Sequence, residues 1–111
     1  MDMAIAPVDI VSEMLRHIVL LTLTAAAGEE ELTAIEEGLG ALPSVIPELQ
    51  AYSVHRDIGI SAGNATIAIV GDFPDEAAYR AYAEDPTHLQ VIADKIKPFV
   101  QARSAVQINI A

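Results

Sequence analysis

The segment Tyr82-Ala83-Glu84-Asp85-Pro86-Thr87-His88 sets a phenol and an imidazole on either side of an Asp-Pro pair. The chain has three histidines and three tyrosines, so few of its side chains can do proton chemistry near neutral pH. A histidine shielded from water can take an acidic proton beside a carbonyl, and a phenol can donate a hydrogen bond to the enolate oxygen that forms. Such a pair needs neither metal nor nucleotide. The same residues have a plainer use. Asp85-Pro86 can stop one helix and cap the next. His88 can bond a backbone carbonyl, and Tyr82 can be a core residue whose hydroxyl reaches the rim.

The elements that must position this pair follow from periodicity. Leu15 to Thr24 is apolar on both parities, with Leu15, His17, Val19, Leu21 and Leu23 on one face and Ile18 and Leu20 on the other. A strand of that kind is buried on both sides. Acidic residues 29–31 open a helix whose stripe is Leu32, Ile35, Leu39 and Leu42, ended by Pro43 and Pro47. Leu49 to Ile60 reads as a second strand, Ser61 to Asn64 as a turn, and Ala65 to Phe73 as a third strand apolar on both faces. Pro74-Asp75-Glu76 starts a second helix to about Ala83, and Asp85-Pro86 restarts it. Leu89, Ile92, Ile96 and Phe99 or Val100 form the next stripe, with Pro98 expected to kink it, and Ala105 to Ile110 alternates as a last strand.

The order is β-α-β-β-α-β with the second α element split. This is a ferredoxin-like α+β fold: a four-stranded antiparallel sheet with helices on one face. Residues 1–14 are expected to be a flexible N-terminal arm and 15–111 a single domain. Helices cover one face of such a sheet, yet two strands are apolar on both. A second copy of the sheet is the simplest cover, so a homodimer through the sheet face is expected.

Composition removes several classes of function. The net charge of −10, from 16 acids and 6 bases, repels phosphate backbones, so no nucleic-acid partner is expected. No basic amphipathic helix or long apolar run suggests a membrane. The start lacks the basic and apolar regions of a signal peptide, which makes a cytoplasmic location the expectation. With no cysteine, disulfides and thiolate chemistry are absent. The histidines have no metal-ligand spacing, although Asp85 and His88 could share a cation. Gly38-Leu39-Gly40 lies on a helix stripe, and no phosphate cradle or serine elbow occurs. No metal or cofactor is therefore expected. His55-Arg56-Asp57 reads as a salt-bridged strand end, and Tyr52 and Tyr79 as packing residues.

Several motifs in series carry a resemblance. Residues Leu15-Arg16-His17-Ile18-Val19-Leu20-Leu21, Val54-His55-Arg56-Asp57, Asp72-Phe73-Pro74-Asp75-Glu76-Ala77, the Tyr82-to-His88 box and Lys97-Pro98 together resemble the stress-responsive dimeric α/β-barrel family, often called Dabb, over residues 14 to 110. The resemblance implies ferredoxin-like protomers pairing into a barrel. It also implies a range of functions, from a boiling-stable plant stress protein without known catalysis to a cofactor-free polyketide cyclase. The cyclase's catalytic tyrosine and histidine correspond to Tyr82 and His88, and its pocket histidine to His17. The residue before the proline is often histidine in the family and is Asp85 here.

The function expected is binding of a small apolar or carbonyl-containing molecule between sheet and helices, with His17, Val19, Leu21, Ile92 and Ile96 as pocket walls. The alternative is an aldol-type cyclase with His88 as base and Tyr82 as hydrogen-bond donor. A weaker alternative is a monooxygenase-like or haem-handling barrel, for which aromatics and arginines are scarce. A cavity of a few hundred Å³ reaching both groups would favour binding and chemistry. A gap filled by Leu21, Ile92 and Ile96 would favour an inert protein.

Overall fold

A computed structural model describes residues 14–110. The elements are β1 (Met14–Leu23), α1 (Glu29–Gly40), a 3-10 turn (Leu42–Ser44), β2 (Ala51–Arg56), β3 (Ile67–Phe73), α2 (Glu76–Glu84), α3 (Pro86–Val91) and β4 (Val100–Ile110). A π turn over Ile92–Ile96 continues α3. One antiparallel sheet runs β2-β3-β1-β4. This is the ferredoxin-like order, with the second α element split at Asp85.

Strand β1 lies between β3 and β4 and is paired along both edges. On its helix-facing side Leu15, His17, Val19 and Leu21 stand opposite Phe73, Gly71, Ile69 and Ile67 of β3. Across the other edge His17 faces Gln107, Val19 faces Ala105 and Leu21 faces Arg103. Ile35 and Leu39 of α1 pack onto this row and are fully buried, as are Phe73 and Ile67. Leu42 and Ile46 close the end of that core.

Among the described residues, no helix covers the other face of the sheet. Ile18 pairs with Val70 and Val106 there, and Arg16 with Asp72 and Ile108. Leu20, Val106 and Ile108 keep 42%, 49% and 41% of their surface in water, a wide apolar exposure for one sheet face. Arg16 and Asp72 form a two-pronged ion pair across β1 and β3, with N···O distances of 2.8 and 3.0 Å.

The helix ends follow from local chemistry. The Gly28 N–H donates to Glu31 Oε1 at 2.8 Å, half of a capping box. Asp75 Oδ1 accepts from the Ala78 N–H and caps α2. Pro98 lies in the turn after the π segment, so it stops the helix and does not kink it. The last bond of that segment is the wide one from the Lys97 N–H to Ile92 O at 2.8 Å.

Three boundaries differ from the periodicity reading. β2 is shorter than Leu49 to Ile60, because Asp57 accepts from the Gly59 N–H and from Asn64 Nδ2 and turns the chain out of the sheet. β4 starts at Val100, not Ala105, and β3 at Ile67, not Ala65. The arm expected over residues 1–14 lies outside the described residues except for Met14, which begins β1. Arg56 bonds Glu36 and Glu29 of α1 and so ties β2 to the helix layer, whereas neighbouring Asp57 organises its own loop.

Phe73 is fully enclosed, so Phe73→Ala should cost about 3–5 kcal/mol in urea unfolding. Ile58→Ser, at a position 82% exposed in the loop, should cost within about 0.5 kcal/mol. Similar losses at the two sites would contradict this placement of the core.

Candidate functional site

The sheet and the α2–α3 layer enclose a cavity of about 420 Å³. Its floor is the helix-facing row of β1, where alternation brings His17, Val19 and Leu21 to one surface. Ile69 of β3 and Leu39 of α1 extend that floor, and Ile92 and Ile96 face it from the π turn. Tyr79, Tyr82, Ala83 and His88 form the wall on the α2–α3 side. All the residues expected to meet at a site do line this one space, and Leu21, Ile92 and Ile96 border it without filling it.

Asp85 explains the placement of the pair. Its extended backbone (ψ 130°) ends α2. Its Oδ1 then accepts from the Thr87 and His88 N–H groups at 2.8 and 3.3 Å and caps α3. That carboxylate oxygen is taken up by the backbone, which leaves capping as the observed role for Asp85. The break is one residue long, and His88 in the first turn of α3 lies against Tyr82 in the last turn of α2. Their rings stack with centroids 4.1 Å apart and planes at 30°.

Burial keeps the His88 imidazole neutral. Loss of hydration pushes its pKa below the ordinary 6.5, and the nearby Ala83 and Tyr82 carbonyls and Asp85 only partly offset this. Nδ1 is enclosed and no hydrogen bond of good geometry reaches it. The carbonyls of Ala83 and Tyr82 beside the ring favour the proton on Nδ1. Nε2 is then the nitrogen with a free lone pair that can meet a bound molecule.

Tyr82 is 3% exposed, and its hydroxyl lies 3.1 Å from that of Tyr52. Burial raises the pKa of both phenols. With Tyr52 donating, the Tyr82 oxygen accepts and its own O–H remains to donate elsewhere.

His17 completes the polar side. Gln107 Nε2 lies 2.8 Å from its Nδ1. The amide donates, so Nδ1 is the acceptor and the ring proton sits on Nε2. Desolvation, then the positive charges of Arg103 and of a protonated His88, lower the His17 pKa to about 4. Tyr79 packs against its ring at 4.9 Å between centroids.

Four contributors escape the sequence reading. Tyr52 and Tyr79 read as packing, but one meets Tyr82 through its hydroxyl and the other lines the cavity. Gln107 and Arg103 lie on β4, whose first half is too polar for a two-residue alternation to stand out. The signal that would reveal them is register. Once Val106 is set opposite Ile18, Gln107 must face His17 and Arg103 must face Leu21.

These features define a class: a ferredoxin-like α+β domain with a largely apolar cavity between sheet and helices and a stacked imidazole–phenol pair in its wall. The chain belongs to the stress-responsive A/B barrel domain (Dabb) family, whose model matches residues 15–110. It is similar to a dimeric ferredoxin-like protein of unknown function from Thermobifida fusca, 34% identical over 88% of this chain and 92% of that one, with a TM-score of 0.81. It shares its fold with a Dabb family protein from Mesorhizobium loti, at 24% identity over 87% of this chain and 96% of that one, TM-score 0.73. It also shares it with a hydroxynitrile lyase from Passiflora edulis, at 20% identity over 88% and 94% of the two chains, TM-score 0.77. No curated protein matches the chain. Among the described residues, no helix is long and apolar enough to cross a membrane.

The depressed His17 pKa has a measurable consequence. The unfolded chain binds this proton near 6.5 and the folded chain near 4, so the unfolded state holds more proton between those values. The stability contributed by neutral His17 should be complete above pH 6.5 and be lost as the pH falls toward 4. An NMR titration of the His17 ring should show a midpoint about 4, and a midpoint at or above 6.5 would contradict the packing described.

Proposed function

We propose that the protein binds a small, largely apolar carbonyl compound in the sheet–helix cavity and moves a proton on it without a cofactor. The observation that carries this reading is the neutral imidazole of His88, stacked on Tyr82 at 4.1 Å in the wall of a cavity of about 420 Å³. A buried neutral histidine is a competent base for a proton beside a carbonyl. Tyr82, its hydroxyl paired with that of Tyr52, can supply a hydrogen bond to the oxygen on which charge collects. The apolar floor holds the carbon skeleton and keeps the enolate away from bulk water.

Kinship of fold supports the same class of chemistry. A hydroxynitrile lyase, by its name, acts at a carbon that bears an oxygen and a nitrile, and it shares this architecture. Aldol-type cyclisation, the activity that the family resemblance implies for Tyr82 and His88, likewise turns on a proton beside a carbonyl. Binding without turnover is the smaller version of this reading and uses the same cavity.

The assembly we propose is a homodimer joined through the helix-free sheet face. The exposed Leu20, Val106 and Ile108 support it, as does the dimeric description of the Thermobifida fusca relative. Light scattering at micromolar concentration should give twice the 11.8 kDa chain mass, and Leu20→Glu should shift it to the single-chain value. A monomeric parent protein would end this part of the proposal.

The chemistry is tested with acetophenone in D2O. Proton NMR should show faster exchange of its methyl protons in the presence of the protein, and binding should shift resonances of the cavity residues. His88→Ala should slow the catalysed exchange by about 100-fold or more, and Tyr82→Phe should also reduce it. The catalysed rate should persist to lower pH than an ordinary histidine base allows and then fall as His88 takes up its proton. Unchanged exchange in His88→Ala would remove the proposed base.

A further inference from the structure

The distribution of charge around the cavity departs from that of the chain. The sequence carries 16 acidic and 6 basic residues. Among the described residues no aspartate or glutamate lines the cavity, whereas Lys97 and Arg103 do. The other arginines are engaged: Arg16 with Asp72, Arg56 with Glu29 and Glu36, and Arg80 with Glu76. Among the described residues Lys95, Lys97 and Arg103 pair with no carboxylate, and of these Lys97 and Arg103 line the cavity. An acidic protein has thus left two cations facing its apolar cavity.

Topology fixes where they stand. Arg103 is opposite Leu21 in the β1–β4 register, in the same helix-facing row that places Gln107 against His17. Ala105 lies between them on β4 and offers only a methyl group, so the approach from Arg103 toward the histidines is unobstructed along that strand. Lys97 is in the turn that joins the π segment to β4. Both are exposed in the single chain, so they form a rim around the apolar floor. The charge of Arg103 is felt across the cavity: it lowers the pKa of His17, Tyr82 and His88 alike.

We infer that the ligand of this cavity is an oxo acid, its carboxylate held at the rim by Arg103 and Lys97 and its carbonyl presented to Tyr82 and His88. The inference rests on the carbonyl-binding reading above and narrows it to a substrate class. A guanidinium offers a carboxylate two parallel hydrogen bonds, and the ammonium of Lys97 adds a second positive charge. A surface that is otherwise strongly negative repels small anions, so this rim is where one would be drawn in. The cations serve the chemistry as well. Protonation of His88 beside Arg103 is disfavoured, which keeps the base free. Enolate charge forming at Tyr82 is favoured by the same field.

The test compares 4-oxo-4-phenylbutanoate with its methyl ester, two molecules of nearly one shape that differ in the negative charge. Binding is followed by the shifts of cavity resonances in NMR titrations. The acid should bind about 10- to 100-fold more tightly than the ester, the worth of one or two charge-assisted hydrogen bonds. Raising sodium chloride from about 20 mM to about 300 mM should narrow that ratio. Arg103→Gln should bring the ratio most of the way to one, and Arg103→Gln with Lys97→Gln should abolish it. Equal affinities in the parent protein, or a preference that survives the double variant, would overturn the inference. If the ester binds and exchanges its protons through His88 while the acid gains nothing, the anion site falls and the carbonyl reading stands. If neither compound shifts the cavity resonances, both fall together.

Discussion

Strand β1 is apolar on both faces and hydrogen-bonded along both edges, and the rest of the molecule is arranged around that constraint. A strand of this kind must have cover on two sides. The helices give it on one, where Val19, Leu21 and Leu23 meet Ile35, Leu39 and Phe73. The open face meets the same demand through Ile18 and Leu20, with Val70 and Val106 beside them in the sheet. Among the described residues nothing satisfies it. The asymmetry explains how 52% hydrophobic composition and a charge of −10 coexist in so small a domain. Among the described residues every acid but Asp72 takes a loop or helix position, and two separate faces carry the apolar residues.

The same strand bounds the cavity. Toward its C-terminal end its helix-facing row is core, with Leu21 and Leu23 buried beneath α1. Toward its N-terminal end the row holds His17, where α2 and α3 meet over the sheet and their junction does not close on it. A π turn adds to the opening: with one residue more per turn than an α-helix, the Ile92–Ile96 segment presents Ile92 and Ile96 at the cavity wall without projecting them across it. The space is dry enough to hold two imidazoles below their ordinary pKa and two phenols above theirs. These shifts share a cause and point the same way chemically. His17, His88, Tyr52 and Tyr82 are all neutral at pH 7.

What the sequence made legible divides by the kind of physical signal. β1, β3 and the α1 stripe are read directly, since burial imposes periodicity and Leu32, Ile35, Leu39 and Leu42 display it. The Asp85-Pro86 break is read from capping chemistry alone, and Oδ1 of Asp85 makes the expected bonds. β4 is half hidden because it is an edge strand with nearly every residue exposed, so no burial pattern marks Gln101 to Ser104. That concealed Arg103. Gln107 was concealed differently: its role depends on which residue of β1 it faces, and register is a property of two strands that neither sequence segment states alone. Tyr52 shows the same limit. A tyrosine in a strand looks like packing until the hydroxyl of another comes within 3.1 Å.

The Tyr82-to-His88 box therefore unites its two readings. Asp85 has the modest task of ending one helix and capping the next, and that task creates the stack. Were α2 to continue without a break, a residue six positions on would lie well round and above Tyr82, and the two rings would not meet. By breaking the helix at Asp85, the cap lets His88 stack on Tyr82, with Nδ1 enclosed. With Nδ1 enclosed, Nε2 is the nitrogen left to meet a bound molecule. The structural role of the aspartate is thus the means by which the imidazole and the phenol are brought together, and the stability of the α2–α3 junction sets how firmly that pair is held.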